Sequence, residues 1–108
     1  MEAWTTETSR RGVRATVKIR DGAAGRELRS QWHDSGNLIR DGYLARWELQ
    51  CALEGERAQA SLAAAEAVYL ARPGKRTKRA LDEAKARLRG AQAGAARMRA
   101  TAGQAGAA

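Results

Sequence analysis

The chain has 108 residues, a formal net charge of +8 and a pI near 10.8. Apolar residues make up 44% of it, but 25 of them are Ala, while Leu, Ile and Val together number only 14 and Phe is absent. So few large side chains with so much charge lie in the range usually read as disordered, and they exclude a large single-core fold such as an α/β enzyme domain. What remains is one small domain, a helical assembly packed through Ala, or a chain that folds on a partner.

No run of 18 apolar residues is present, so no transmembrane helix is expected. The opening, MEAWTTETSRRG, carries Glu2 and Glu7 and has no apolar stretch of the kind a secretory leader needs. Cys51 and His33 are each single, which leaves no internal disulfide and no zinc site to build. The expectation is a cytoplasmic protein with no cofactor, metal or membrane partner. Its Ala/Arg/Gly bias suggests a GC-rich bacterial genome. Charge is unevenly placed: residues 1–40 carry +3, residues 41–72 carry −2, and residues 73–108 carry +7.

In chain order, the first clear element is Val13–Arg20. Val13, Ala15, Val17 and Ile19 alternate with Arg14, Thr16, Lys18 and Arg20, the period of a half-buried strand. Asp21–Gly25 then offers a hairpin turn, after which RELRSQW could return as a strand with Leu28, Ser30 and Trp32 on one face. The same residues could instead form a short helix capped by Asp21, in which Ala24, Leu28 and Trp32 recur every four residues. Gly22 and Gly25 would each cost that helix roughly 1 kcal/mol relative to Ala, which favours the hairpin slightly.

His33–Asn37 is a break, with Ser35 or Asn37 available as an N-cap. From there to about Ala71 the spacing predicts a long helix with Leu44, Cys51, Ala58, Leu62, Ala65 and Tyr69 on one stripe. Arg72-Pro73-Gly74 ends it, since Pro disfavours helix at the residue before it. In the next helix Leu81, Ala84, Leu88, Ala91, Ala95 and Met98 step by alternating threes and fours, a heptad seam. Gly90 and Gly94 soften its far end, and Ala100–Ala108 reads as a low-complexity flexible tail.

The expected fold is therefore mainly α: a short N-terminal β-hairpin or ribbon over 1–36, then a long antiparallel Ala-rich helical hairpin over 37–99 that turns near 72–75. Leu44, Leu62, Tyr69, Leu81, Ala84, Leu88 and Met98 are its expected seam. A hairpin with so little contact area per residue should dimerise or dock on a partner. Trp32, Tyr43, Trp47 and Tyr69 are assigned to packing; Trp4 is either exposed or against the sheet.

Two motifs invite catalytic readings and fail them. His33-Asp34-Ser35 holds the letters of a hydrolase triad, but adjacent residues cannot adopt the nucleophile–base–orienter geometry. Gly74-Lys75 lacks the upstream Gly of a phosphate loop, and Arg76 stands where Ser or Thr is needed. No enzyme activity is expected.

The basic residues point elsewhere. Arg72, Lys75, Arg76, Lys78 and Arg79 crowd the tip of the hairpin and the start of its second helix, where the helix dipole already disfavours cations. An anion bound there, such as a phosphate, would reverse that penalty. Lys85, Arg87, Arg89, Arg97 and Arg99 continue the basic face against only Asp82 and Glu83, a one-signed pattern that phosphate backbones select. Arg14, Lys18 and Arg20 form a second candidate surface on the strand, where Lys and Arg also guard an edge against aggregation. The expected order of strand, short helix, turn and longer helix over residues 13–50 resembles that of ribbon-helix-helix dimers, which read a major groove through a β-ribbon. The glycines after the strand depart from that pattern. The sequence thus points to a non-enzymatic nucleic-acid-binding homodimer, DNA before RNA, of a bacterial or mobile-element kind. The alternative is a structural or adaptor protein whose Ala-rich hairpin assembles with an acidic protein.

Overall fold

The computed structural model describes residues 1–21 and 24–106, and it contains three strands followed by two long helices. Strands β1 (Glu2–Ser9), β2 (Gly12–Asp21) and β3 (Ala24–Arg29) form an antiparallel sheet in the order β1-β2-β3. Helices α1 (Leu38–Ala71) and α2 (Lys75–Gly106) follow, joined by the three residues Arg72–Gly74. The fold is mainly α, with a β element leading into a helical hairpin.

Strand β1 was not foreseen. Only Trp4 among its residues is a large apolar group, but Thr5, Thr6 and Thr8 have high strand propensity. The tight turn Ser9–Gly12 supplies the second signal. Ser and Gly are the favoured first and fourth residues of such a turn, the Ser9 hydroxyl accepts the Arg11 N–H at 3.0 Å, and Gly12 has a φ of +101°. With β1 in place, β2 is the central strand of three and not an exposed ribbon, so the likeness to a two-stranded DNA-reading ribbon does not carry over.

The segment left open between strand and helix is strand up to Arg29. Val17 pairs with Leu28, and Lys18 with Glu27. Gly22 and Ala23 of the expected turn lie outside the described residues. Beyond Arg29 the register holds for one more residue and then slips by one before His33. The Ser30 N–H donates to the Ala15 carbonyl at 3.0 Å, while its hydroxyl accepts the Ala15 N–H at 3.0 Å and donates to the Gln31 carbonyl at 2.8 Å. His33 then resumes pairing with Val13 through reciprocal bonds of 3.0 and 2.9 Å. Trp32 leaves the strand pattern, with the Arg14 guanidinium 4.4 Å from its ring centroid.

Asn37 caps α1: its side-chain oxygen accepts the Arg40 N–H at 3.1 Å. Ser35 has a different job. Its N–H and hydroxyl both donate to the carboxyl oxygens of Asp41, which is only 1% exposed, so both oxygens of that buried group have a hydrogen-bond donor.

The chain divides into two compact units. The first holds the sheet, α1 up to Gln50 and the end of α2 from Met98. Its core is Val13, Ala15, Val17, Leu44, Ala45, Leu49 and Met98. Glu48 fastens α1 to the segment after the sheet by accepting the Gln31 N–H at 2.8 Å and lying 3.2 Å from His33 Nε2, and Arg46 stacks 5.0 Å from the Trp4 ring centroid. The second unit is the helical hairpin from Cys51 to Arg97, with Leu53, Ala58, Leu81 and Ala84 buried. Of the expected seam, Leu44 and Met98 therefore lie in the first unit. Leu62, Tyr69 and Leu88 are half-buried in the second.

Two expectations are corrected here. Helix α2 runs on through residues 100–106, where the sequence predicts a tail, because Ala, Thr, Gln and isolated Gly do not stop a helix already packed at Met98. Tyr43, assigned to the core, is 71% exposed.

Gly12 is held by two independent demands. A left-handed φ strains any residue with a Cβ, and a Cβ there would lie 2.1 Å from the backbone oxygen of His33. Gly12→Ala should destabilise the first unit by about 3 kcal/mol or more in urea unfolding. A loss below about 1 kcal/mol would contradict the close approach of the turn to His33.

Candidate nucleic-acid interface

The connection between the helices is tied by Thr77, whose hydroxyl contacts the carbonyls of Arg72 at 2.8 Å and Gly74 at 3.2 Å. The Lys78 N–H donates to the Gly74 carbonyl at 2.9 Å, which makes Gly74 the N-cap residue of α2. The first N–H groups of any helix lack intrahelical acceptors, and Gly74 has no side chain to satisfy them.

Around this end stand Arg72, Lys75, Arg76, Lys78 and Arg79, all exposed. Lys78 pairs with Asp82 at 3.1 Å and Arg79 with Glu83 at 3.9 Å, each one turn along the helix. These are solvated pairs, with the Arg79 side chain 84% exposed, and such pairs contribute about 0.3–0.5 kcal/mol. A stronger anion can displace them. Lys85 and Arg89 continue the exposed basic face along α2.

Arg87 departs from that face. Its guanidinium bonds the Glu54 carboxylate of α1 at 3.0 and 3.4 Å and the Ser61 hydroxyl at 2.9 Å, fastening the two helices. The hydrogen bond and charge of Arg87 hold the Glu54 carboxyl below its ordinary value. Arg87 thus serves the packing of α1 on α2. This role becomes identifiable once the antiparallel helices set Glu54 beside Arg87.

The strand cations are arranged differently. Arg14 is paired with Glu7 at 2.8 Å, lies over Trp32, and has its Nε buried without a hydrogen-bond partner. Lys18 is 3.8 Å from Glu27, which also holds Arg29 at 2.6 Å. Glu7 and Glu27 are the cross-strand neighbours of Arg14 and Lys18, so the sheet balances much of its own charge. Arg20 is exposed on β2. The structure thus gathers Arg72, Lys75, Arg76, Lys78, Arg79, Lys85 and Arg89 within the helical-hairpin unit, and places Arg14, Lys18 and Arg20 in the sheet unit.

Comparison with protein-family models, curated proteins and solved structures gave no match to this chain. No helix among the described residues is long and apolar enough to cross a membrane.

The Glu54–Arg87 pair makes a measurable prediction. Because the carboxyl is depressed in the folded chain, the pair's contribution is present above the unfolded glutamate pKa and fades as pH falls through the folded value. Arg87→Ala should move the Glu54 titration, read by side-chain carboxyl NMR, back up towards the ordinary value. An unchanged titration would mean that the clasp is not kept in solution.

Proposed function

We propose that this protein is a non-enzymatic nucleic-acid-binding protein, with DNA as the first candidate ligand, and that it grips the phosphate backbone with the tip of its helical hairpin. The supporting observation is the cluster of five exposed cations at a helix N-terminus capped by a glycine. Lys75 and Arg76, in the first turn of α2, are the foremost contacts. Lys78 and Arg79 exchange their weak intrahelical partners for phosphate, and Lys85 and Arg89 extend the track. Arg14 is dropped from the contact surface, because it is held between Glu7 and Trp32 and is mostly covered; Lys18, exposed and only 3.8 Å from Glu27, lies on the sheet and not in the cluster at the tip. The mode is electrostatic and positions the protein on the backbone; base reading is not part of it.

An assembly or adaptor role is the second reading. The observation that favours it is the exposed pair Ile39 and Tyr43, 88% and 71% accessible, beside half-buried Trp47. Salt separates the two. The five tip cations alone, each meeting one phosphate, give an affinity for a short duplex that falls roughly 500-fold between about 50 and 200 mM monovalent salt, and contacts from Lys85 and Arg89 steepen the fall. Lys75→Glu with Arg76→Glu should weaken binding at least tenfold and flatten the salt slope, whereas Lys18→Glu should change it little. Fluorescence anisotropy showing no association with duplex or single strand at low salt would end the nucleic-acid reading.

A further inference from the structure

The distal half of α1 is apolar on two sides. Ala58 is buried and Leu62, Ala65 and Tyr69 are half-buried, on the side that packs within the hairpin. On another side Ala60, Ala63, Ala64, Ala67, Leu70 and Ala71 recur at three- and four-residue spacing and are all exposed, Leu70 at 79%. Between Ala58 and Ala71 the only charged residue is Glu66. A helix that is apolar nearly all round belongs in an interior, and a contiguous exposed apolar face of this kind marks an interface.

We infer that this face docks a second copy of the same chain, with the two α1 helices antiparallel. Charge decides the orientation. Cys51–Ala71 carries Glu56 and Glu66, besides the Glu54 held by Arg87, against Arg57, while Arg72–Arg79 carries five cations. A parallel pair would set five cations against five. An antiparallel pair sets the cationic tip of each copy alongside the acidic stretch of the other, near Glu56. The face is also self-complementary in size. An antiparallel register centred on Ala65 puts Leu70 of each copy over Ala60 of the other and Ala63 against Ala67, so each large side chain meets a small one and the helices approach closely. The inference does not rest on nucleic-acid binding.

The test uses the full chain and two charge variants, Ala63→Glu/Ala67→Glu and Ala63→Lys/Ala67→Lys, each checked for unchanged helix content by circular dichroism. Light scattering and sedimentation should find the wild type dimeric, each variant alone monomeric, and an equimolar mixture of the two dimeric again. With Cys51 replaced by Ser, Ala60→Cys copies should cross-link to Leu70→Cys copies in preference to one another. A wild type that stays monomeric up to its solubility limit overturns the inference and leaves the face to another protein. Variants that dimerise as well as the wild type, or cross-links of the opposite preference, overturn it too. A monomer that still binds duplex in a salt-dependent way sinks this inference alone.

Discussion

Scarcity of large apolar side chains governs how this protein is built. Eleven apolar residues are buried among those described, and four of them are Ala. The first unit concentrates the better part of that supply, setting Val13, Val17, Leu44 and Leu49 between sheet and helix, where each fully buried Val or Leu is worth about 1.5–3 kcal/mol. The hairpin unit has Leu53 and Leu81 with two alanines, a thin core for two helices of this length. Helices in water draw most of their stability from packing, so such a hairpin is marginal without additional contacts.

Polar groups make up part of the difference, and they do so at joints. Ser30 bridges the point where β3 leaves the ladder, Asp41 ties the loop before α1, Glu48 holds that helix to Gln31 and His33, and Arg87 clasps α1 to α2. Each uses a charged or hydroxyl group against a specific partner. The cations Arg87 and, between Glu7 and Trp32, Arg14 are committed to structure. Those at the hairpin tip are held only by exposed i,i+4 pairs or stand in solvent, and this contrast separates a structural basic residue from one that can meet an anion.

Much of the fold was legible because three signals are strong. The two-residue alternation of Val13–Arg20, the break at Pro73 and the three–four stepping from Leu81 to Met98 each have one physical reading. Strand β1 was hidden because its outward and inward positions are nearly all polar or small, which leaves only threonine propensity and the Ser9–Gly12 turn to betray it. Tyr43 was misassigned since aromatic content alone does not say which side of a helix faces the sheet. The basic residues were readable as a set but not individually. Arg14 and Lys18 look as free in the sequence as Lys75, and only the strand register shows that Glu7 and Glu27 stand across from them. Arg87 likewise needs the antiparallel pairing of the helices before Glu54 comes into reach.

The proposed anion-binding surface is the tip of the hairpin continued along α2 to Arg89, and not the sheet. Amide NMR of the full chain, titrated with a short duplex at low salt, tests it residue by residue. The account predicts that the largest shift changes fall on Arg72–Arg79 and diminish along α2 towards Arg89, while the amides of Arg14 and Lys18 stay in place. Changes centred on β2, or none anywhere, would contradict it.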